Sequence, residues 1–388
     1  MKPAKILAIG ATGFIGSRLC EMLSLEYRFP YRALVRDFSR AARIARLDTE
    51  LVAGVMLDAG SLARAVEGCD AVVNLAHSDD KTAAKQTAQL VDACERARVR
   101  RFVHISSMAV HGPAPKLSLV TENTAPIERW GEAYSDAKAA AEAVVTAAAK
   151  RGTLGTVILR PTIVYGPYSF FVSPIVQDAR QGKISLIDGG RGLCNAVYVD
   201  DVCDAIMAAI DRDDAVGSAF FINGDTRLTW GDFITTFAGM VEGGKTLHDH
   251  ALGEIAAYRE AQRPRARDSF SAAIRLAAAP AFHAQLATIP VVGKLIRGTK
   301  ELIARRITLE QKLMLKTRLQ GRSAARTQPD AAAQPVRMPS EGRVVREAYR
   351  SWVSNDQAKA RLGWVPAHPF ALGARRTSEW LRFANLVP

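Results

Sequence analysis

The sequence predicts an α/β fold: a doubly wound parallel sheet with helices on both faces, a smaller C-terminal region, and a basic helical insertion. Three observations point there. Short apolar runs alternate with helical patterns through the first 165 residues. The first run leads straight into a glycine-spaced turn. Apolar residues make up 48% of the 388 residues and charged residues 23%, enough for a sizeable core.

The elements follow in order. Ile6–Ile9 reads as a strand, Gly10 to Gly16 as a tight turn, and Ser17–Ser24 as a helix. Tyr31–Val35 is a second strand. Ala71–Leu75 follows the turn Gly68-Cys69-Asp70 and precedes a long helix over Thr82–Arg98. Arg101–Ile105 is the next strand, Tyr134–Lys150 an alanine-rich helix, and Thr156–Leu159 a further strand. Such alternation implies parallel strands joined by helical crossovers. Residues 166–240 read as less regular, with loops marked by Pro167, Pro174, Gly182, Gly189 and Gly190 and one helix at Val202–Ile210. Helical patterns at 270–288 and 299–320 precede a Pro/Gln/Ala-rich stretch at 323–340 that reads as a linker. Residues 351–384 return to globular composition.

The five cysteines form no C-x-x-C pair and no cluster with histidine, so neither a disulfide framework nor a metal site is expected. No secretory signal and no run of 18 apolar residues is seen, which gives the expectation of a cytoplasmic protein. The net charge of +13 is localised: between Arg259 and Arg350, 19 basic residues face 7 acidic ones, a surplus of 12.

The turn Gly10-Ala11-Thr12-Gly13-Phe14-Ile15-Gly16 lies between a strand and a helix. A pyrophosphate needs a main chain free of Cβ atoms and the unpaired N–H groups of a helix N-terminus, which this context supplies. The expected fold is therefore of Rossmann type. The second strand runs into Arg36-Asp37, with Arg32 and Arg40 close by. An acid at that place grips a ribose 2′-hydroxyl and an arginine accommodates a 2′-phosphate, so Arg36 favours NADP over NAD, while Asp37 leaves NAD open. Asp58 could bond the adenine amine or cap the helix that starts near Leu62.

Tyr134 and Lys138 are four apart and share a helix face. A phenol ordinarily loses its proton near pH ~10, and a cation one turn away makes it serviceable near neutrality. His104-Ile105-Ser106-Ser107-Met108 closes a strand, and a serine there can bond a substrate oxygen.

Together these residues, with Asn74-Leu75-Ala76-His77, Val110-His111-Gly112, Arg160-Pro161-Thr162-Ile163-Val164-Tyr165-Gly166-Pro167, Val197-Tyr198-Val199-Asp200-Asp201-Val202 and Ala358 to Pro366, carry a resemblance. The chain resembles the extended short-chain dehydrogenase/reductase family of the NAD-dependent epimerase/dehydratase type over about 1–240 and 345–384. The resemblance implies that Tyr134 is the acid/base, Lys138 its pKa modifier and ribose anchor, and Ser107 the residue that positions the oxygen. It places Gly10, Thr12, Gly13, Phe14, Ile15, Gly16, Leu75, Ala76, His77, Pro161 and Thr162 around the cofactor. Met108, His111, Ile163 and Asn195 are the substrate candidates. The chain departs from the nucleotide-sugar members at Ile163, where they usually carry Asn, and at Cys194 or Asn195, where they often carry Arg.

The division implied is a dinucleotide-binding domain over 1–165, with contributions from about 190–225; a substrate-binding region of 166–240 and 345–388; and a basic insertion with linker over 241–344. The insertion reads as a cover for the cleft, as a peripheral contact of 245–345 with an anionic (inner) membrane surface, or as a solvated face. Nucleic acid is not expected, because no recognition motif accompanies the charge. The expected function is that of an NADP- or NAD-dependent epimerase, dehydratase or reductase of a sugar or nucleotide sugar, acting as a homodimer. A reductase of a non-sugar ketone or sterol-like alcohol, which Ile163 suits, is the alternative. A non-catalytic dinucleotide sensor or scaffold is a third reading, against which Ser107, Tyr134 and Lys138 argue.

Overall fold

The computed structural model describes residues 5–76, 81–112, 117–124, 127–241, 247–262 and 338–387. The chain divides into two compact units, 1–252 with 338–388, and 253–337. The described part of the second unit lies in the helix Leu252–Gln262. His77 and most of the basic insertion, including the helical patterns at 270–288 and 299–320, lie outside the described residues.

The first unit is built on one sheet. Its strands are β1 (Ile6–Ile9), β2 (Tyr31–Val35), β3 (Glu50–Ala53), β4 (Ala71–Asn74), β5 (Arg101–Ile105), β7 (Gly155–Pro161) and β11 (Ala219–Ile222). They run parallel in the order β11-β7-β5-β4-β1-β2-β3. Helices α1 (Phe14–Leu25) and α6 (Val199–Asp211) cover one face. There Leu19 and Leu23 belong to one buried cluster with Ile206 and Ile210. On the other face α2 (Ala59–Val66), α3 (Ala83–Arg96) and α4 (Ala133–Arg151) bury Leu62, Leu90, Val91 and Val145. Every residue of β1, β4 and β5 is buried, as central strands covered on both sides require.

Register places the site. Ile9 lies beside Leu34 and Asn74, Asn74 beside His104, and His104 beside Ile158. The residues that follow these positions, Gly10, Leu75 and Ser106 among them, therefore leave the sheet at one edge. Strand order reverses between β1 and β4, where open α/β sheets bind ligands.

Outside the sheet, the stretch read as irregular is better ordered than the sequence implied. Pro174 sits inside helix α5 (Val172–Arg180) rather than in a loop. The first turn of a helix has no use for that N–H, so proline fits there. The C-terminal segment returns to the first unit and adds a strand to a separate two-stranded sheet. β13 (Trp352–Val353) pairs with β6 (Leu119–Val120), and the Trp364 indole donates to Asp201 O at 2.8 Å. No helix among the described residues is long and apolar enough to cross a membrane. The five cysteines are free and buried.

Candidate active site

The glycine turn needs its glycines for two reasons. Gly10 has φ +83°, and a Cβ there would lie 2.8 Å from Ala76 N and from Leu75 C. At Gly16 a Cβ would lie 2.2 Å from Gly10 O. The turn is thus packed against the Leu75–Ala76 loop and against the first turn of α1. Gly13 N donates to Gly10 O at 3.0 Å, and no side chain caps α1 at Gly13. The N–H groups of Phe14 and Ile15 open the helix beyond it, so the cradle suits the diphosphate of a dinucleotide.

At the end of β2, Arg36 is exposed. Asp37 is occupied locally: its carboxylate accepts from Ser39 N at 3.0 Å and from Ser39 Oγ at 2.7 Å. Arg32 is not part of this edge. Its guanidinium donates to Ala65 O and Glu67 O at the end of α2, both at 2.8 Å, and pairs with Glu50. Asp58 is the cap of α2, accepting from Gly60 N at 3.0 Å and Ser61 N at 3.1 Å.

Helix α4 carries the tyrosine and the lysine. Its start is fixed from several sides. Glu132 accepts from Ser135 N and Oγ, both at 2.7 Å, and Asp136 accepts from Trp130 N at 2.7 Å. Trp130 in turn donates through its indole to Val110 O at 3.0 Å. Its ring covers Gly112, where a Cβ would meet it at 2.3 Å. This tryptophan therefore joins the helix bearing Tyr134 to the turn that starts at Ser107, a link that no local motif announces.

Ser107 caps the short 3-10 turn Met108–His111, its Oγ accepting from Ala109 N at 3.2 Å. That leaves the hydroxyl proton available for donation. Tyr134 is 36% exposed, whereas Lys138 is 9% exposed. Lys138 Nζ donates to Ile105 O at 2.9 Å, at the end of β5. Burial pushes its pKa down from 10.5 to about 8, against the upward pull of the Glu142 carboxylate.

Beneath this lies a buried polar layer. Ser106 Oγ donates to Glu142 Oε2 at 2.6 Å, and Arg160 at the end of β7 donates to both oxygens of Glu142. His104 lies next to Asn74, with His104 Nδ1 and Asn74 Nδ2 3.2 Å apart. Burial, with the Lys138 charge added, drives the imidazole pKa down to about 3. It is therefore neutral at ordinary pH. The sequence did carry a signal for Glu142, which is one helical turn past Lys138 and two past Tyr134.

The remaining candidates divide. Pro161 ends β7, and Thr162 beside it is buried, its hydroxyl 3.0 Å from Asn223 Oδ1. Met108 packs against a cluster of Val120, Phe221, Tyr349 and Val353. His111 is a buried ring tilted at 52° against Phe221, their centroids 5.1 Å apart. Ile163 is half-buried and starts the strand Ile163–Tyr165. Asn195 is set apart from the other substrate candidates by its burial. It is 2% exposed, its amide donates to Ser351 O at 3.0 Å, and its oxygen accepts from Val353 N at 2.9 Å. It ties the C-terminal strand to the body.

Comparison with known proteins places the chain in one family. Residues 6–222 match the NAD dependent epimerase/dehydratase family. A 4-hydroxy-2-methyl-3-oxo-4-farnesyl-3,4-dihydroquinoline-1-oxide ketoreductase of Stigmatella aurantiaca is 27% identical over 239 residues, 58% of this chain and 70% of that protein. A 2-alkyl-3-oxoalkanoate reductase of Shewanella oneidensis is 26% identical over 251 residues, 59% of this chain and 64% of that protein. Among solved structures, a dTDP-glucose 4,6-dehydratase from Bacillus anthracis in complex with NAD superposes with a TM-score of 0.64 at 17% identity, covering 98% of this chain and 96% of that one. A UDP-glucuronic acid 4-epimerase from Bacillus cereus, with UDP-glucuronic acid and NAD, gives 0.64 at 16% identity, covering 98% and 99%. These two share the fold. The chain belongs to the NAD-dependent epimerase/dehydratase family and is an NAD(P)-dependent enzyme of the extended short-chain dehydrogenase/reductase type.

Proposed function

We propose that this enzyme interconverts a ketone and an alcohol on a non-sugar, largely apolar substrate, with Tyr134 as proton donor and acceptor and NADP as the preferred cofactor. The observation that carries the reading is the exposed Tyr134 one helical turn before the buried Lys138, whose ammonium reaches Ile105 O at the strand end that leads into Ser107.

A reduced nicotinamide dinucleotide, when bound on the glycine turn, supplies a hydride to the carbonyl carbon. In that direction Tyr134 gives its proton to the carbonyl oxygen, and C=O becomes CH–OH. Ser107 donates a hydrogen bond to the same oxygen and holds it in reach of the phenol. Lys138, as a cation, stabilises the phenolate that remains and makes the proton easier to give. Pro161 and Thr162, at the end of β7, would border the ring, and Gly10, Gly13 and Gly16 would admit the diphosphate.

Two features favour an apolar ketone. Met108, next to Ser107, packs into an apolar cluster with Phe221 and Val353. The two sequence relatives described above are named as reductases of oxo compounds that carry an alkyl or farnesyl group. The rival reading, a nucleotide-sugar epimerase or dehydratase, is favoured by solved structures of the same fold that hold UDP- or dTDP-sugar chemistry. Exposed Arg36, with Asp37 committed to Ser39, favours NADP.

The test is turnover of a panel of β-ketoacyl and cyclic ketones against UDP- and dTDP-sugars, each with NADPH and NADH. Ketone reduction with NADPH supports the reading. Turnover confined to nucleotide sugars overturns it.

A further inference from the structure

We propose that Glu142 is a positioning residue for proton transfer: its buried carboxylate holds the Tyr134–Lys138 helix against the strand ends that carry Ser107 and Pro161, and keeps Lys138 cationic. The inference rests on the reading above, in which Lys138 serves Tyr134.

Geometry carries it. Glu142 is 3% exposed and Arg160 5%. Within α4, Lys138 reaches the last residue of β5 at Ile105 O, and the next residue, Ser106, just past the strand, reaches back through Oγ to Glu142 at 2.6 Å. Arg160 closes the third side, its Nε 3.2 Å from Glu142 Oε2 and its terminal nitrogen on Oε1. One carboxylate thus joins the residue before Ser107, the residue before Pro161 and the helix of Tyr134. A slip of α4 along the sheet would break all of these bonds together.

Charge gives the second half. The groups around Lys138 are Tyr134 and Glu142 on its own helix, His104 and Ile105 O on β5, Asn74 on β4, Ala83 and Thr87 on α3, and Arg160 of β7 behind Glu142. His104 is neutral, so it adds no second positive charge beside the ammonium and supplies no negative one. Glu142 is the neighbour whose charge favours the protonated lysine. Without it, burial acts unopposed, and Lys138 would lose its proton at a lower pH. The phenolate of Tyr134 would then lose its cation over part of the working range.

A clamp of purely structural kind would lower the melting temperature and leave the lysine's titration alone. The experiment is therefore NMR titration of Lys138 in full-length protein with 13C-labelled lysine, its signal assigned by Lys138→Arg. The wild type is compared with Glu142→Gln, which keeps the shape and removes the charge. The double variant Glu142→Gln/Arg160→Met leaves no guanidinium without its carboxylate, and serves if the single variant does not fold. The expected result is a downward shift of the Lys138 midpoint by about one pH unit or more. The alkaline limb of kcat is expected to move down with it, with the dinucleotide Kd within about threefold, less than 1 kcal/mol. An unmoved Lys138 midpoint in the folded variants overturns the proposal. The NMR readout needs no turnover, so it is independent of the functional reading, which fails separately if Tyr134→Phe remains active.

Discussion

Replacing Lys138 by methionine should abolish turnover while changing stability in a pH-dependent way. The ammonium is 9% exposed in the folded chain, and burial holds its pKa at about 8 against 10.5 in the open chain. Below pH ~8 both states carry the proton, and burying it costs on the order of 3 kcal/mol. Methionine removes that cost. It also removes the bond from Nζ to Ile105 O at 2.9 Å. Leaving that carbonyl without its partner costs about 1–3 kcal/mol. At pH 7 the variant should therefore be as stable as the wild type or up to about 2 kcal/mol more stable. Between pH 8 and 10.5 the unfolded chain binds more protons than the folded one, so wild-type stability rises with pH and the variant's does not follow. By pH 10 the ordering should reverse, the difference having swung by about 2–3 kcal/mol. Urea unfolding of both proteins at pH 7 and pH 10 reads this directly. A wild-type-minus-variant difference that is the same at both pH values would refute the claim that Lys138 is a buried cation.

Acid should expose His104. Its folded pKa of about 3 lies below the ordinary 6.5, so the unfolded chain takes up the proton first and stability falls as pH drops from 6.5 towards 3. The slope from this group is about 1.4 kcal/mol per pH unit, and His104→Asn should flatten it in urea melts across that range. Gly16→Ala would place a Cβ 2.2 Å from Gly10 O, and should weaken NADPH binding by more than tenfold in a fluorescence titration. Arg36→Asp should weaken NADPH by about tenfold or more and leave NADH within a factor of about three. An unchanged NADPH/NADH ratio would remove the basis for preferring NADP.

What the sequence made legible follows periodicity and local chemistry. The central strands announce themselves because both their faces are buried, and the glycine turn because close approach tolerates no Cβ. Tyr134 and Lys138 are paired by helix geometry alone. What stayed hidden depends on partners far away in the chain. Edge strand β3, Glu-Leu-Val-Ala, has only three apolar residues in a row and is partly exposed throughout, so burial on two faces does not mark it. The two-residue strands β6 and β13 gain meaning only once 119–120 meets 352–353. Arg32 lies close in sequence to Arg36, the residue read as the 2′-phosphate ligand. Four residues along a strand, however, span roughly 13 Å, which sets it at the opposite end of β2 among the carbonyls that end α2. Asn195 looked like a substrate group until Ser351 and Val353, more than 150 positions later, took both ends of its amide. Trp130 covering Gly112 is of the same kind. His77 and the basic stretch 263–337 lie outside the described residues, so the cleft-cover, membrane and solvated-face readings of that stretch stand as expectations.

The most direct measurement is turnover by Tyr134→Phe under saturating NADPH and ketone, with dinucleotide affinity measured on the same preparation. Losing the proton donor should cut kcat by about 10²–10⁴ while Kd for NADPH stays within about threefold. A variant that keeps kcat within a factor of about five of wild type, with NADPH bound normally, would contradict the assignment of proton transfer to this tyrosine.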